Sequence, residues 1–192
     1  MRKLVRGAVA GAIATVPMTL VMMALFRRLP PEQRYPLPPR LITEDVAERA
    51  GADPVMHDTA LTGATLAAHF GYGAATGALF PFIVRRYPLA LVGPAYGLAV
   101  WAASYLGWIP ALRILPPATR HPGERNALML MAHVVWGAAL AGASALLGSA
   151  GSDETGFGRN TARAVAHDRR PHAYARAPDR SDPGQAHLQP SA

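Results

Sequence analysis

Two histidines in matching surroundings are the residues of this sequence best suited to chemistry. The two phrases are AHFGYGAA at residues 68–75 and AHVVWGAA at residues 132–139. Residues three and four positions apart lie on the same face of a helix. His69 is therefore expected to share a face with Tyr72, and His133 with Trp136, while Asn126 extends the second face by about two turns.

Such a pair of imidazoles supports three interpretations. In the structural one, each imidazole hydrogen-bonds a neighbouring helix, and Tyr72 and Trp136 are anchors at the membrane interface. In the second, the histidines respond to protons, because the charge of an imidazole changes between about pH 5 and 8. In the third, His69 and His133 bind a metal ion, a haem or a quinone. We predict no metal or other cofactor, because a metal site usually has a third ligand.

The histidines lie in segments that contain no Asp, Glu, Lys or Arg. A helix needs about 20 apolar residues to cross the hydrocarbon core of a bilayer. The sequence therefore predicts an all-α integral membrane four-helix bundle over residues 1–148, followed by a disordered basic tail over residues 149–192. The predicted spans are residues 7–26, 62–84, 88–110 and 127–148.

Charge and composition indicate where the protein resides and which partners it has. No small-residue cleavage site follows the first apolar run, so we interpret it as an uncleaved first span. Positive residues are slightly more numerous on the side of the two termini, which favours cytoplasmic N- and C-termini. The net charge of +7 resides in span flanks and the tail, so the expected partner is the lipid bilayer and not nucleic acid. The absence of cysteine excludes disulfides and thiolate chemistry.

The first loop contains a predicted amphipathic helix at about residues 41–50. Thr43 is its expected N-cap and Gly51 its stop signal. Its apolar side places the helix on the membrane surface or over the mouth of the bundle.

Small residues four positions apart predict close contact between the spans. The predicted packing pairs are Gly7 with Gly11, Gly73 with Gly77, Gly93 with Gly97, and more weakly Ala138 with Gly142. The twin histidine phrases, together with Leu-Pro-Pro in both long loops, also favour a duplicated two-span hairpin with parallel repeats.

The sequence contains no recognised catalytic motif, so we predict that the protein is not an enzyme. Its apparent four spans, the phrase AHVVWG after the loop ILPPATRHPGERN, and the histidine of the second span resemble the YagU-like family of small bacterial inner-membrane proteins of unknown function. The resemblance implies a helical protein of the bacterial inner membrane, with a link to acid tolerance. We therefore expect a proton-responsive protein that supports envelope or acid homeostasis. The alternatives are a haem, metal or quinone redox protein, and a packing subunit of a homo-oligomer or larger membrane complex.

Overall fold

The computed structural model describes residues 1–52, 57–84 and 88–168, with side chains as far as residue 148. Every regular element in this part of the chain is helical. The elements are α1 (Arg2–Phe26), a 3₁₀ turn (Pro31–Gln33), α2 (Pro38–Arg49), α3 (Asp58–Ile83), α4 (Leu89–Ala102), a π-helical segment (Ala103–Trp108), α5 (Ile109–Ala111), a second 3₁₀ turn (Ala118–Arg120) and α6 (Gly123–Asp168). The predicted all-α class is confirmed.

Three helices in the described part of the chain are long and apolar enough to cross a membrane. They are α1, the continuous stretch Leu89–Ala111, and Gly123–Gly148 of α6. The helix α3 has 26 residues but is not among them. Its composition explains the difference, because α3 contains Gly, Thr and His where the other helices have larger apolar residues.

Glycine allows α1 and α3 to pack backbone against backbone. A Cβ atom added at Gly11 would overlap the carbonyl oxygen of Gly73, and one added at Gly7 would overlap that of Gly77. As residue numbers increase along α1, the numbers of the contacting residues decrease along α3. The two helices are therefore antiparallel. Only residues without side chains permit helix axes to approach this closely.

A second antiparallel pair, α4 with α6, repeats this arrangement. A Cβ atom at Gly93 would overlap the carbonyl oxygen of Gly137, and one at Gly97 would overlap that of His133. The prediction that Ala138 and Gly142 form the contact of the last span was wrong. Ala138 is exposed and the space beside Gly142 is open, because the neighbouring face of the helix, with Gly137, packs against α4.

Aromatic side chains fill the space between the two helix pairs. The centroids of the Phe80 and Tyr96 rings lie 5.3 Å apart, and those of the Tyr96 and Trp136 rings 6.0 Å apart. The Tyr96 hydroxyl donates to the carbonyl oxygen of Thr76 at 2.7 Å, which joins α4 to α3. In contrast, large apolar side chains on the outer faces of the helices are exposed, such as Ile13 and Leu91.

The loop helix α2 begins earlier than predicted. Pro38 occupies its first position, where the fixed φ of proline suits a helix and its missing N–H needs no partner. Thr43 is therefore not the N-cap but lies inside the helix, where its hydroxyl donates to the carbonyl oxygen of Pro39. The predicted stop is confirmed, since Gly51 follows the helix with a φ of 71°, a left-handed conformation that favours glycine.

The last helix is longer than predicted. The chain divides into a unit Met1–Asp153 and a unit Glu154–Ala192. The tail was predicted to be disordered from residue 149, yet α6 extends to Asp168. Residues 169–192 of the predicted tail lie outside the described residues.

Candidate functional site

A cavity of about 220 Å³ lies between α1, α3, α4 with its π-helical segment, and α6. Both predicted histidines, His69 and His133, line it, and we call it the bihistidine cavity. Aromatic and aliphatic side chains form most of its wall. The lining consists of Thr15, Met18, Pro39, Ile42, Thr43, Ala68, His69, Tyr72, Gly73, Thr76, Val100, Ser104, Tyr105, Trp108, Ile109, Met129, His133 and Trp136.

His69 contributes a buried nitrogen without a partner. Its Nε2 atom is shielded from solvent and makes no hydrogen bond to the described part of the chain. The ring stands edge-on to Phe70, with 6.2 Å between centroids. Leaving a buried polar group unpaired costs about 1–3 kcal/mol, so a ligand that bonded to Nε2 would recover this free energy.

His133 is held in one orientation by its own helix. Its Nδ1 atom lies 2.8 Å from the carbonyl oxygen of Met129, and the residue is only 6% exposed. A carbonyl oxygen can only accept, so Nδ1 carries the hydrogen. In a neutral imidazole, Nε2 then has a free lone pair. The Tyr105 ring packs edge-on against His133 at 6.4 Å and restrains it from the other side.

A chain of hydrogen bonds joins α3 to the π-helical segment beside the cavity. Ser104 donates to the carbonyl oxygen of Val100 at 2.8 Å, which uses its one hydrogen. The Tyr72 hydroxyl, 2.8 Å from Ser104 Oγ, therefore donates to it. The Trp108 indole N–H in turn donates to Tyr72 at 3.4 Å. Tyr72 and Trp108 are 39% and 37% exposed, so this chain forms the outer wall of the cavity.

The π-helical segment supplies residues that the sequence interpretation missed. Ser104, Tyr105 and Trp108 all line the cavity and all lie within Ala103–Trp108. Gly107 departs from helical geometry there, with φ −111° and ψ −107°. Pro110 follows three residues later and has no N–H to bond the preceding turn. Gly107 with Pro110 three positions later, inside an apolar segment, was the feature of the sequence that could have indicated an irregular helix here. Wide turns of this kind are frequent at functional sites.

Two predicted site residues have positions that differ from the expectation. Trp136 is 2% exposed and donates from its indole N–H to the carbonyl oxygen of Gly11, so it joins α6 to α1 in the interior. It is not an interfacial anchor, because its polar atom finds a partner between the helices. Asn126 does not line the bihistidine cavity. Its amide instead donates to the carbonyl oxygen of Ala118, in the loop between α5 and α6.

The amphipathic helix α2 covers one end of the cavity with Pro39, Ile42 and Thr43. Two arginines fix it there. Arg40 bonds Asp58 at the start of α3 and Glu44 on its own helix, and these two contacts raise the pKa of Arg40. Arg49 donates to the carbonyl oxygens of Leu112 and Arg113 after α5. The covering helix is thus attached to elements on both sides.

A third arginine, Arg125, holds the first loop. It is 5% exposed and donates to the carbonyl oxygens of Gln33, Tyr35 and Pro36 at 2.7–3.0 Å. Its guanidinium group also lies 3.6 Å from the centroid of the Tyr35 ring. Such cation–π contacts add to the bonds with the backbone. The segment leading into α2 is therefore fixed to the start of α6.

The dimensions of the cavity limit what it can hold. A cavity of about 150 Å³ accommodates benzene, so a volume of about 220 Å³ accommodates a single substituted ring and does not enclose a haem. The described residues contain no group of three or more His, Cys, Asp or Glu side chains that could hold a metal ion. Two imidazoles in an apolar chamber suit an organic ligand with few hydrogen-bonding groups.

No family model, curated protein or solved structure matches this chain.

Proposed function

We propose that this protein is an integral membrane four-helix bundle that binds one small, mostly apolar molecule in the bihistidine cavity. A single observation carries the proposal: His69 lines a preformed cavity, and its buried Nε2 has no partner in the described chain. A ligand that supplied the missing hydrogen bond would also fill the apolar space beside it. Both gains favour binding.

The membrane location rests on the helices themselves. Three of them can cross a bilayer by length and hydropathy, and apolar side chains cover their outer faces. In this proposal α3 is the fourth span, because it packs along α1 and its polar side chains line the cavity. We propose the bacterial inner membrane as its location, from the resemblance to the YagU-like family, and cytoplasmic termini, from the distribution of positive residues. Membership of the YagU-like family stays a prediction.

The lining favours ligand binding over a proton-responsive role in acid homeostasis. No acidic side chain belongs to the described lining, so no negative charge there would balance a protonated imidazole. An unpaired charge in an apolar interior is costly. A neutral imidazole, by contrast, is a good hydrogen-bonding partner for a neutral ligand.

Native mass spectrometry from a mild detergent tests the proposal. We expect an excess mass on the wild-type protein that is lost from the His69→Ala and His133→Ala variants. His57→Ala is the matched control, because His57 is exposed and does not line the cavity. The control variant should keep the excess mass.

A ligand that dissociates during purification requires a second measurement on the same samples. Fluorine NMR should detect para-fluorotoluene bound to the wild-type protein. A bulky Ala68→Trp variant, which enlarges an exposed residue of the cavity lining, should bind it more weakly. If the wild type showed neither an excess mass nor para-fluorotoluene binding, the proposal would be wrong, and the proton-responsive interpretation would become the next one to test.

A further inference from the structure

The hydrogen-bond directions around the cavity select the chemistry of its ligand. Most hydroxyl groups of the lining donate their hydrogen to the protein itself. The donations run from Thr15 to the Gly11 carbonyl, from Thr43 to Pro39, from Thr76 to Tyr72, and from Ser104 to Val100. The Tyr72 hydroxyl donates to Ser104, as derived above. These groups therefore offer lone pairs, and not hydrogens, to a molecule in the cavity.

His133 strengthens this acceptor character. The bond between its Nδ1 hydrogen and the Met129 carbonyl fixes the tautomer, so that Nε2 is an acceptor whenever the ring is neutral. The indole N–H of Trp136 likewise donates to the Gly11 carbonyl oxygen and so is not available to a ligand. A ligand that carried only carbonyl oxygens would find these groups poorly matched, because two acceptors cannot form a hydrogen bond.

A hydroxyl group on the ligand resolves the mismatch. Its hydrogen can be donated to His133, and its oxygen can accept from His69 or from the Tyr105 hydroxyl, both of which line the cavity. The cavity volume of about 220 Å³ accommodates about one ring of the ligand. Aromatic walls from Tyr72, Tyr105 and Trp136 suit an aromatic ring.

Building on the proposed function, we infer that the ligand is a single-ring phenol or quinol whose hydroxyl group donates to Nε2 of His133. The oxidised, carbonyl-only counterpart of such a molecule binds less well. The cavity therefore distinguishes the hydroxyl form of a ring from the form that lacks the hydrogen.

Fluorine NMR of the full-length protein in detergent tests this inference with three matched probes. They are para-fluorophenol, which donates and accepts, para-fluoroanisole, which only accepts, and para-fluorotoluene, which does neither. Wild-type protein should bind the phenol about tenfold more tightly than the anisole, the factor expected for one buried hydrogen bond. This comparison needs no variant and is unaffected by any folding defect.

Two variants locate the acceptor. His133→Leu should reduce the affinity ratio of para-fluorophenol to para-fluorotoluene about tenfold, whereas His133→Gln, which keeps an acceptor oxygen, should restore part of it. Equal wild-type affinities for phenol and anisole would overturn this inference and leave the proposed function intact, provided that para-fluorotoluene bound. Failure of all three probes to bind to a wild-type protein that also carries no excess mass would overturn the proposed function as well.

Discussion

The backbone of His133 lies directly against Gly97, so close that a Cβ atom on Gly97 would overlap the His133 carbonyl oxygen. The same residue presents its imidazole to the bihistidine cavity. The contact between α4 and α6 therefore sets the position of a site residue, and the packing glycines belong to the site as much as to the fold.

Gly97→Ala should accordingly damage both stability and binding. The added methyl group would push α6 away from α4, and overpacking of this kind costs about 1–3 kcal/mol. Gly71→Ala is the matched control, because nothing lies near a Cβ atom at Gly71 on the exposed face of α3. Thermal unfolding in detergent should show a lower midpoint for the first variant only. Equal midpoints for both variants would contradict the close contact of α4 with α6.

The Tyr72–Ser104 bond should contribute to the outer wall of the cavity. Tyr72→Phe and Ser104→Ala each remove this bond, which is 2.8 Å long in the structure. In a double-mutant cycle, we expect a coupling free energy of about 1 kcal/mol, typical of one intramolecular hydrogen bond. Unfolding in detergent gives the four stabilities of the cycle. Additive effects of the two changes would show that the bond does not join α3 to the π-helical segment.

Arg125 should fix the first loop through the shape of its side chain as well as its charge. Arg125→Met removes three bonds to loop carbonyl oxygens and should destabilise the protein by about 2–3 kcal/mol. Arg125→Lys keeps the charge but loses the planar fork, so it should restore only part of the stability. Limited proteolysis between Arg28 and Arg40 should accelerate in both variants. Arg120→Met, which changes an exposed side chain, should be cleaved like the wild type.

The number of spans can be read from the positions of the two termini. If α3 crosses the membrane with the three helices that length and hydropathy identify, the total is four and both ends lie on the same side. Reporter domains that are active only in the cytoplasm, fused to each end in turn, should then both be active. A reporter inserted after Gly51 should be inactive. Activity at only one terminus would exclude α3 as a span.

Local sequence patterns predicted several features correctly. Long uncharged runs indicated the helical class, and α1, α3 and α4 with α5 cover the first three predicted segments except residues 84 and 88. Gly51 was the correct stop for α2, because a positive φ is a local requirement that glycine meets best. The prediction of Thr43 as the N-cap was wrong because the sequence contains two possible helix starts close together, and the helix begins at the earlier one, Pro38.

The candidate site was predictable only in part, because the partners of a side chain depend on other segments. The spacing of His69 and His133 singled out two residues that line the same cavity. Nothing local to Ser104 or Trp108 indicated that they would close the wall beside Tyr72, since that bond joins positions 32 residues apart. Trp136 was misjudged for the same reason: its hydrogen-bond acceptor, Gly11, lies 125 residues away in sequence.

The sequence by itself determined which segments are helical and apolar, where one loop helix ends, and which two imidazoles lie in apolar surroundings, since all of these depend on residues within a few turns of one another. The tertiary structure decided the rest. It placed glycine against glycine in two antiparallel helix pairs and directed the hydroxyl hydrogens of the cavity wall to acceptors within the protein. It also left Nε2 of His69 without a hydrogen-bond partner in the described part of the chain. These outcomes depend on which helices approach each other and at what distance, a consequence of packing the whole chain that no single segment encodes.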